Sequence, residues 1–410
     1  MADRHVDHLL IGGGVASASC ARALRAGGAE GSIAIVGREL DPPYHRPPIT
    51  KGYLRGSESK QDTHVLAPSW YEDNDVELRT RAGVRSLDVE AKTAKLQGGE
   101  ELSFSSALLA TGALVNRLRL DGSDLDGLHY VRAPGNADAI RADADSAERV
   151  AIVGGSYIGC EAAASLTDMG KRCTVVMLED EPMQRGFGVG VGRWVRGQME
   201  SRGVELVSAA EVDRFEGSER VQRVVTRGGE TIDADMVVLG TGVTPDVMLA
   251  RAAGLALGES GGVLCDSRLQ TSAPGVYAAG DICEYDSVVH GRRLRVEHED
   301  VAERQGETVA AAMLGSTEAH TAVPYFWTDL SDWALIESVG PAASWDEEVV
   351  RGSMEEGSFS VLYLDGGRLV ACAAVDRAED LEAATQIIAT GGDPRADRDA
   401  LADGNRALAV

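Results

Sequence analysis

The stretch RVAIVGGSYIGCEAAASLTDMG, residues 149–170, decides how the rest of the chain is read. It opens as an apolar, strand-like run and then turns through Gly154, Gly155, Ser156 and Gly159. Small and apolar residues follow at helical spacing and stop at Gly170. A second apolar run, CTVVMLE (173–179), ends in Glu179. Strand, glycine turn, helix and strand make a βαβ unit. In such a turn the glycines let the backbone approach a pyrophosphate, and the free N–H groups and dipole of the helix N-terminus favour its charge. Ser156 takes the place of the usual middle glycine. Glu179 lies about 20 residues past Gly159, where an acid accepts hydrogen bonds from an adenosine ribose and repels a 2′-phosphate. This unit therefore predicts NADH in preference to NADPH, with Arg185 the nearest arginine.

The same pattern stands near the N-terminus. VDHLLIGGG (6–14) ends a strand in Gly12 and Gly14, VASASCARALRAGG (15–28) reads as a helix stopped by glycines, and SIAIVG (32–37) as the next strand. Ser17 replaces the third glycine and is small enough to keep helix and strand close. One glycine loop is a weak signal; two whole βαβ units are a strong one. Three short motifs fit around them. LLATGA (108–113) and VVLGTGVTPD (237–246) are strands breaking at Thr-Gly, read as points where the chain passes between domains, and YAAGDIC (277–283) puts Asp281 at a strand end, where it can hold a sugar hydroxyl.

The bulk numbers set limits. At 410 residues there is room for two or three domains, and 44% hydrophobic with 26% charged residues is globular composition, with no apolar run long enough to span a bilayer. MADRHVDHLL lacks a basic region followed by an apolar core, so a cytoplasmic protein is expected. A net charge of −25 argues against nucleic acid and anionic membrane as partners. Six cysteines stand singly, without CxxC, CxxxxC or metal-ligand spacing, and read as reduced, mostly buried residues; no metal site is expected.

Taken together, GGGVA (12–16), RPPITK (46–51), ATGA (110–113), GGSYIGCE (154–161), the acid at 179, GTGVTPD (240–246) and AAGD (278–281) carry a resemblance. The chain resembles the FAD-dependent pyridine-nucleotide reductases, and among them the ferredoxin reductases of oxygenase systems, of putidaredoxin reductase and biphenyl dioxygenase reductase type. The likeness runs from residue 6 to about 385. GRRLRVEHEDVA (291–302) and Glu337 are closer to apoptosis-inducing factor, a related protein.

The resemblance implies an α/β architecture with two Rossmann-like domains. An FAD domain would comprise 1–113 and 244–318, an NADH domain 114–243, and a C-terminal α/β domain with an antiparallel sheet 319–410. Alternation in SFSVLYL (358–364) and the run LVACAAV (369–375) suit that sheet, and the last stretch of about twenty polar residues reads as a loose tail.

By resemblance, FAD is held by Gly12, Gly14, Val15, Ala16, Arg46, Lys51, Ala110, Thr111, Gly112, Gly280, Asp281, Glu297, His298 and Trp327. Arg38 stands where relatives often have an acid, and Glu39 beside it is a second candidate for the ribose. NAD is assigned to Gly154, Gly155, Ser156, Tyr157, Ile158, Glu161, Glu179, Gly242 and Glu297. Lys51 and Glu161 are the expected catalytic pair between flavin and nicotinamide. A cation near the flavin edge stabilises charge that develops as hydride arrives, while Pro47 and Pro48 stiffen the loop that presents it. Glu161, on the first turn of its helix, can also simply complement the dipole.

No thiol relay accompanies this segment, which disfavours disulfide, peroxide and thioredoxin reductases and leaves the flavin as the exit for electrons. The acceptor implied is a [2Fe–2S] ferredoxin or a rubredoxin, with the reductase a monomer or homodimer. An NADH oxidase or diaphorase, and a redox-sensing interaction protein of the apoptosis-inducing-factor kind, remain as alternatives. Ferredoxins are usually acidic, so Arg292, Arg293 and Arg295 are the expected steering patch.

Overall fold

In the computed structural model, which describes residues 2–341, 344–394 and 398–408, both glycine units fold as βαβ. Residues 342–343, 395–397 and 409–410, the last two groups part of the expected tail, lie outside the described residues. In the first unit, strand Arg4–Ile11 leads through the glycines into helix Val15–Ala26 and returns as Ile33–Val36, whose four residues are all buried. These strands sit in a sheet ordered Val76–Arg79, Ile33–Val36, Arg4–Ile11, Glu101–Leu109, parallel throughout. The upper half of Glu101–Leu109 takes one more parallel strand, Val276–Ala278, from far downstream. Its lower half takes the antiparallel pair Thr93–Leu96 and Val84–Asp88. Helix Glu299–Met313 closes this unit by packing on Val15–Ala26 through Gly306, where a Cβ would overlap the Ala16 carbonyl.

The second unit repeats the plan. Its five parallel strands run Glu205–Val207, Arg172–Val176, Arg149–Val153, Met236–Leu239, Leu128–Tyr130, with helix Tyr157–Asp168 after the glycine turn. A three-stranded antiparallel meander, Val212–Gly217, Val221–Thr226 and Thr231–Asp233, is appended. The chain enters and leaves this unit through a two-stranded ribbon, Ala113–Val115 against Val243–Pro245.

The two turns obey one steric rule. Gly12 (φ 130) and Gly154 (φ 116) have backbones closed to L side chains, and a Cβ at either would overlap a carbonyl, that of Ala110 or of Gly240. Those carbonyls belong to the ATG and GTG motifs, so each glycine loop is seated on its Thr-Gly strand end. At Gly159 a Cβ would strike the Gly154 carbonyl, whereas Ser17, at the matching place, is fully buried and tolerated.

The C-terminal part is a five-stranded antiparallel sheet, ordered Tyr325–Asp329, Leu335–Val339, Arg368–Val375, Ser358–Asp365, Glu347–Ser353, with helix Ala378–Ala389 packed on it. The described tail residues are docked on this sheet, against the expectation of a loose end. Leu401 and Leu408 are buried, and the fully buried Arg351 donates to the carbonyls of Leu401 and Arg406. Composition registers only that a tail is polar; it cannot register backbone carbonyls captured by a distant arginine.

Candidate functional site

Segment 42–54 is where the parts of the molecule meet. Pro47–Thr50 forms a 3-10 turn begun by the two prolines, and Gly52–Arg55 a helical turn, with Lys51 at the joint between them. Ile49, Tyr53 and Leu54 sink into one core shared by the second βαβ unit and the C-terminal sheet. This apolar anchorage fixes the polar residues of the same segment.

Lys51 is 7% exposed. Its Nζ stands 2.7 Å from Asp329 Oδ2 and 3.4 Å from Glu161 Oε1. The Trp327 ring centroid is 5.7 Å away. The two carboxylates hold this buried ammonium as ion-pair partners, with no aligned hydrogen bond from it to either. Glu161 is held from both sides, by Thr50 Oγ1 at 2.6 Å and Thr328 Oγ1 at 2.7 Å. Burial raises its carboxyl above the ordinary range, while Lys51 and the two hydroxyls pull the other way. A carboxylate so restrained acts on Lys51 as a fixed negative partner.

A second polar cluster forms around Arg46. Its guanidinium donates to Glu39 Oε1 at 2.8 Å, to Tyr44 Oη at 2.9 Å and to the Arg132 carbonyl at 2.6 Å. Tyr44 also donates to Glu39. Burial works against the charge on Glu39, yet Arg46 and Tyr44 hold its carboxyl below the usual range. Arg132 reaches Asp281 at 3.2 Å. Helix Glu299–Met313 anchors the segment through Glu299, which accepts from the Arg46 backbone N–H at 2.8 Å and sits 2.7 Å from His45 Nδ1.

These clusters line one cleft of about 840 Å³, in the upper part of the range of small-molecule and cofactor sites. Gly14, Val15 and Ala16 supply one end, with Glu39, Arg46 and Lys51 beside them. Ala110, Thr111, Gly112, Gly280, Asp281, Glu297, His298 and Trp327 also line it. Ser156, Tyr157, Ile158, Glu161 and Gly242 come from the second unit. Gly12, Gly154 and Gly155 are not among the residues lining the cleft. Arg38 pairs with Asp246 at 2.8 Å, whereas Glu39 lines the cleft. Glu179 lies outside the cleft and is paired with Arg185.

The residues of the cleft fit a flavin dinucleotide. At Gly14 nothing lies within 4 Å of where a Cβ would be, so the backbone at the N-terminus of Val15–Ala26 is open to a phosphate. Lys51 Nζ and His298 Nδ1 are buried polar atoms without an aligned partner. Burial pushes the His298 ring down to about 4, so it faces the cleft neutral. Arg132, Thr50, Thr328 and Asp329 escaped sequence reasoning. Only Asp329 carried a signal, through its spacing of two from Trp327 along one strand. All six cysteines are free and buried; Cys372 alone lines the cleft, with its thiol pushed up by burial. Of the expected steering patch, Arg293 is paired with Asp286 at 2.8 Å and Arg295 with Glu297 at 2.5 Å.

Comparison with known proteins agrees with this architecture. Residues 6–306 match the pyridine nucleotide-disulphide oxidoreductase family and residues 325–409 the reductase C-terminal family. The chain belongs to the pyridine nucleotide-disulphide oxidoreductases and is an oxidoreductase. It is 35% identical, over 98% of both chains, to the 5,5'-dehydrodivanillate O-demethylase ferredoxin reductase subunit of Sphingobium sp.. Among solved structures it is similar to the ferredoxin reductase for the CYP199A2 system from Rhodopseudomonas palustris, with TM-score 0.90 and 29% identity over 97% of this chain and 99% of that one. It is equally similar to the reductase in the covalent putidaredoxin reductase–putidaredoxin complex, with TM-score 0.90 and 29% identity over 95% and 94%. Among the described residues no helix is long and apolar enough to cross a membrane.

Proposed function

We propose that this chain is an FAD-dependent NADH:ferredoxin reductase, a cytoplasmic component of an oxygenase system that serves a [2Fe–2S] carrier. The observation that carries the reading is Lys51, buried where the two glycine units and the C-terminal sheet converge and braced by Glu161 and Asp329. The ferredoxin reductases among its relatives support the acceptor. FAD, when bound, accepts a hydride as an electron pair and releases electrons singly. Lys51 would present positive charge where negative charge develops, without reorganising at that moment. Glu161, locked by Thr50 and Thr328, would keep the ammonium in place, and Trp327 would cover the face of the cleft and exclude water.

Gly14, Val15 and Ala16 would receive the flavin pyrophosphate, Glu39 the ribose and Asp281 the ribityl chain. Ser156, Tyr157 and Ile158 would receive the nicotinamide nucleotide and Glu179 its adenosine ribose, which favours NADH. The domain division 1–113 with 244–318, 114–243 and 319–410 is supported by two features: Val276–Ala278 completing the first sheet, and the ribbon at both crossings. Anaerobic titration with NADH should bleach the flavin absorbance at one equivalent, and an added [2Fe–2S] ferredoxin should restore it. NADH consumption that proceeds equally fast on oxygen alone sinks the ferredoxin reading in favour of an oxidase.

A further inference from the structure

Helix Gln184–Ser201 is not continuous. At Gly188 the backbone takes φ 77 and ψ 174, a conformation essentially confined to glycine. Such a break leaves backbone groups on either side in need of partners. Here the partners come from the C-terminal sheet. Tyr363 Oη donates to the Phe187 carbonyl at 2.8 Å, in a buried bond. The Glu348 carboxylate lies against Gly188, where a Cβ would overlap it, and Trp345 Nε1 fixes it by donating at 2.8 Å. A carboxylate in this place also complements the dipole at the start of the second helical stretch.

The clamped residues sit directly on the second glycine loop. The Met183 N–H donates to the Gly155 carbonyl at 2.7 Å, and the Phe187 N–H to the Met183 carbonyl at 3.1 Å. Tyr157, first residue of the helix after that loop, has its hydroxyl in the space a Cβ of Gly186 would fill. Its ring meets Phe187 at 5.4 Å between centroids and Phe326 at 4.4 Å. The aromatic wall at the nucleotide end is therefore held by Tyr363, which lines the cleft beside Tyr157 and Phe187, and by Glu348, which does not.

We infer that Tyr363 and Glu348 are positioning residues for the nicotinamide nucleotide, acting through the break at Phe187–Gly188; this rests on the reductase reading above. The C-terminal sheet thereby tunes nucleotide affinity as well as closing the flavin cleft. In the FAD-loaded full chain, Tyr363→Phe keeps the ring and removes one donor. We expect the KM for NADH and the Kd for NAD to rise about five-fold or more, from a buried carbonyl left unpaired. At saturating NADH, kcat should stay within about two-fold, since the reacting groups are untouched.

Amide exchange over residues 183–190 should rise without nucleotide and fall again with NAD. Glu348→Gln, which leaves Trp345 an acceptor, should shift Kd in the same direction by about two-fold. Tyr71→Phe, at a buried hydroxyl with no partner, should change none of these. Unchanged Kd and unchanged exchange in both variants overturn the inference, as does an equal loss of kcat. A wild-type chain that binds neither NADH nor NADPH instead overturns the functional reading, and the exchange arm still decides whether the clamp exists.

Discussion

At the residue scale, the proposed chemistry centres on one buried lysine. Lys51 is ion-paired with Asp329 and Glu161 but makes no aligned hydrogen bond to either. Lys51→Ala should slow flavin bleaching by NADH about 100-fold in stopped flow, the scale of losing one preorganised electrostatic group, with FAD content unchanged. An unaltered rate would remove Lys51 from the reaction. A second residue-scale effect concerns His320, which is 3% exposed and whose ring is pushed down to about 4 by burial and by Arg304. Its folded value lies below the unfolded one, so the unfolded chain takes the proton first. Stability is then full above pH 6.5 and declines as pH falls toward 4, by up to roughly 3 kcal/mol for this group. Denaturant unfolding of His320→Asn should show a flatter acid limb than the wild type.

At the element scale, glycines mark where backbones touch. Gly306 brings helix Glu299–Met313 onto Val15–Ala26 so closely that a methyl group meets the Ala16 carbonyl. That contact aligns Glu299, and through it His45 and Arg46, with the first glycine loop. Gly306→Ala should destabilise the protein by about 1–3 kcal/mol, as overpacking does, and loosen FAD by tilting that helix. Thermal unfolding and flavin release on dilution measure the two effects, and a variant unchanged in both would show that the helices can part without consequence. The paired loops were legible in the sequence because a strand, a glycine turn and a helix are local patterns with periods of two and 3.6 residues. Their seating on the ATG and GTG strand ends was not, since it joins residues about a hundred positions apart.

At the scale of the whole molecule, the C-terminal sheet is bound to the rest by polar contacts as well as by a shared core. Asp168 accepts from Trp333 Nε1 at 3.1 Å, Thr328 supports Glu161, and Tyr363 holds Phe187. The sheet's own integrity leans on Arg351, fully buried, 3.0 Å from Asp380 and bonded to two tail carbonyls. Arg351→Met should leave Asp380 with Arg377 and Ser360 as its partners but strip the tail carbonyls of Leu401 and Arg406 of their donor, releasing the tail at a cost of about 1–3 kcal/mol. Limited proteolysis near residue 400 and the thermal midpoint would register it, and a protease-resistant tail with an unshifted midpoint would contradict the role.

Residue order by itself determined the two βαβ units and the strand alternation that suits the C-terminal antiparallel sheet. Each of these rests on short-range periodicity or on a motif with a fixed spacing. Only the tertiary structure decided which polar side chains brace Lys51 and Glu161 beside the cleft. Thr50, Thr328 and Asp329 are ordinary residues until packing carries Tyr325–Asp329 against helix Tyr157–Asp168, and Glu39 lines the cleft whereas Arg38 pairs with Asp246. A hydrogen bond or an ion pair depends on distances of a few ångströms, and those are set by the cores beneath the side chains rather than by the residues on either side of them in the chain.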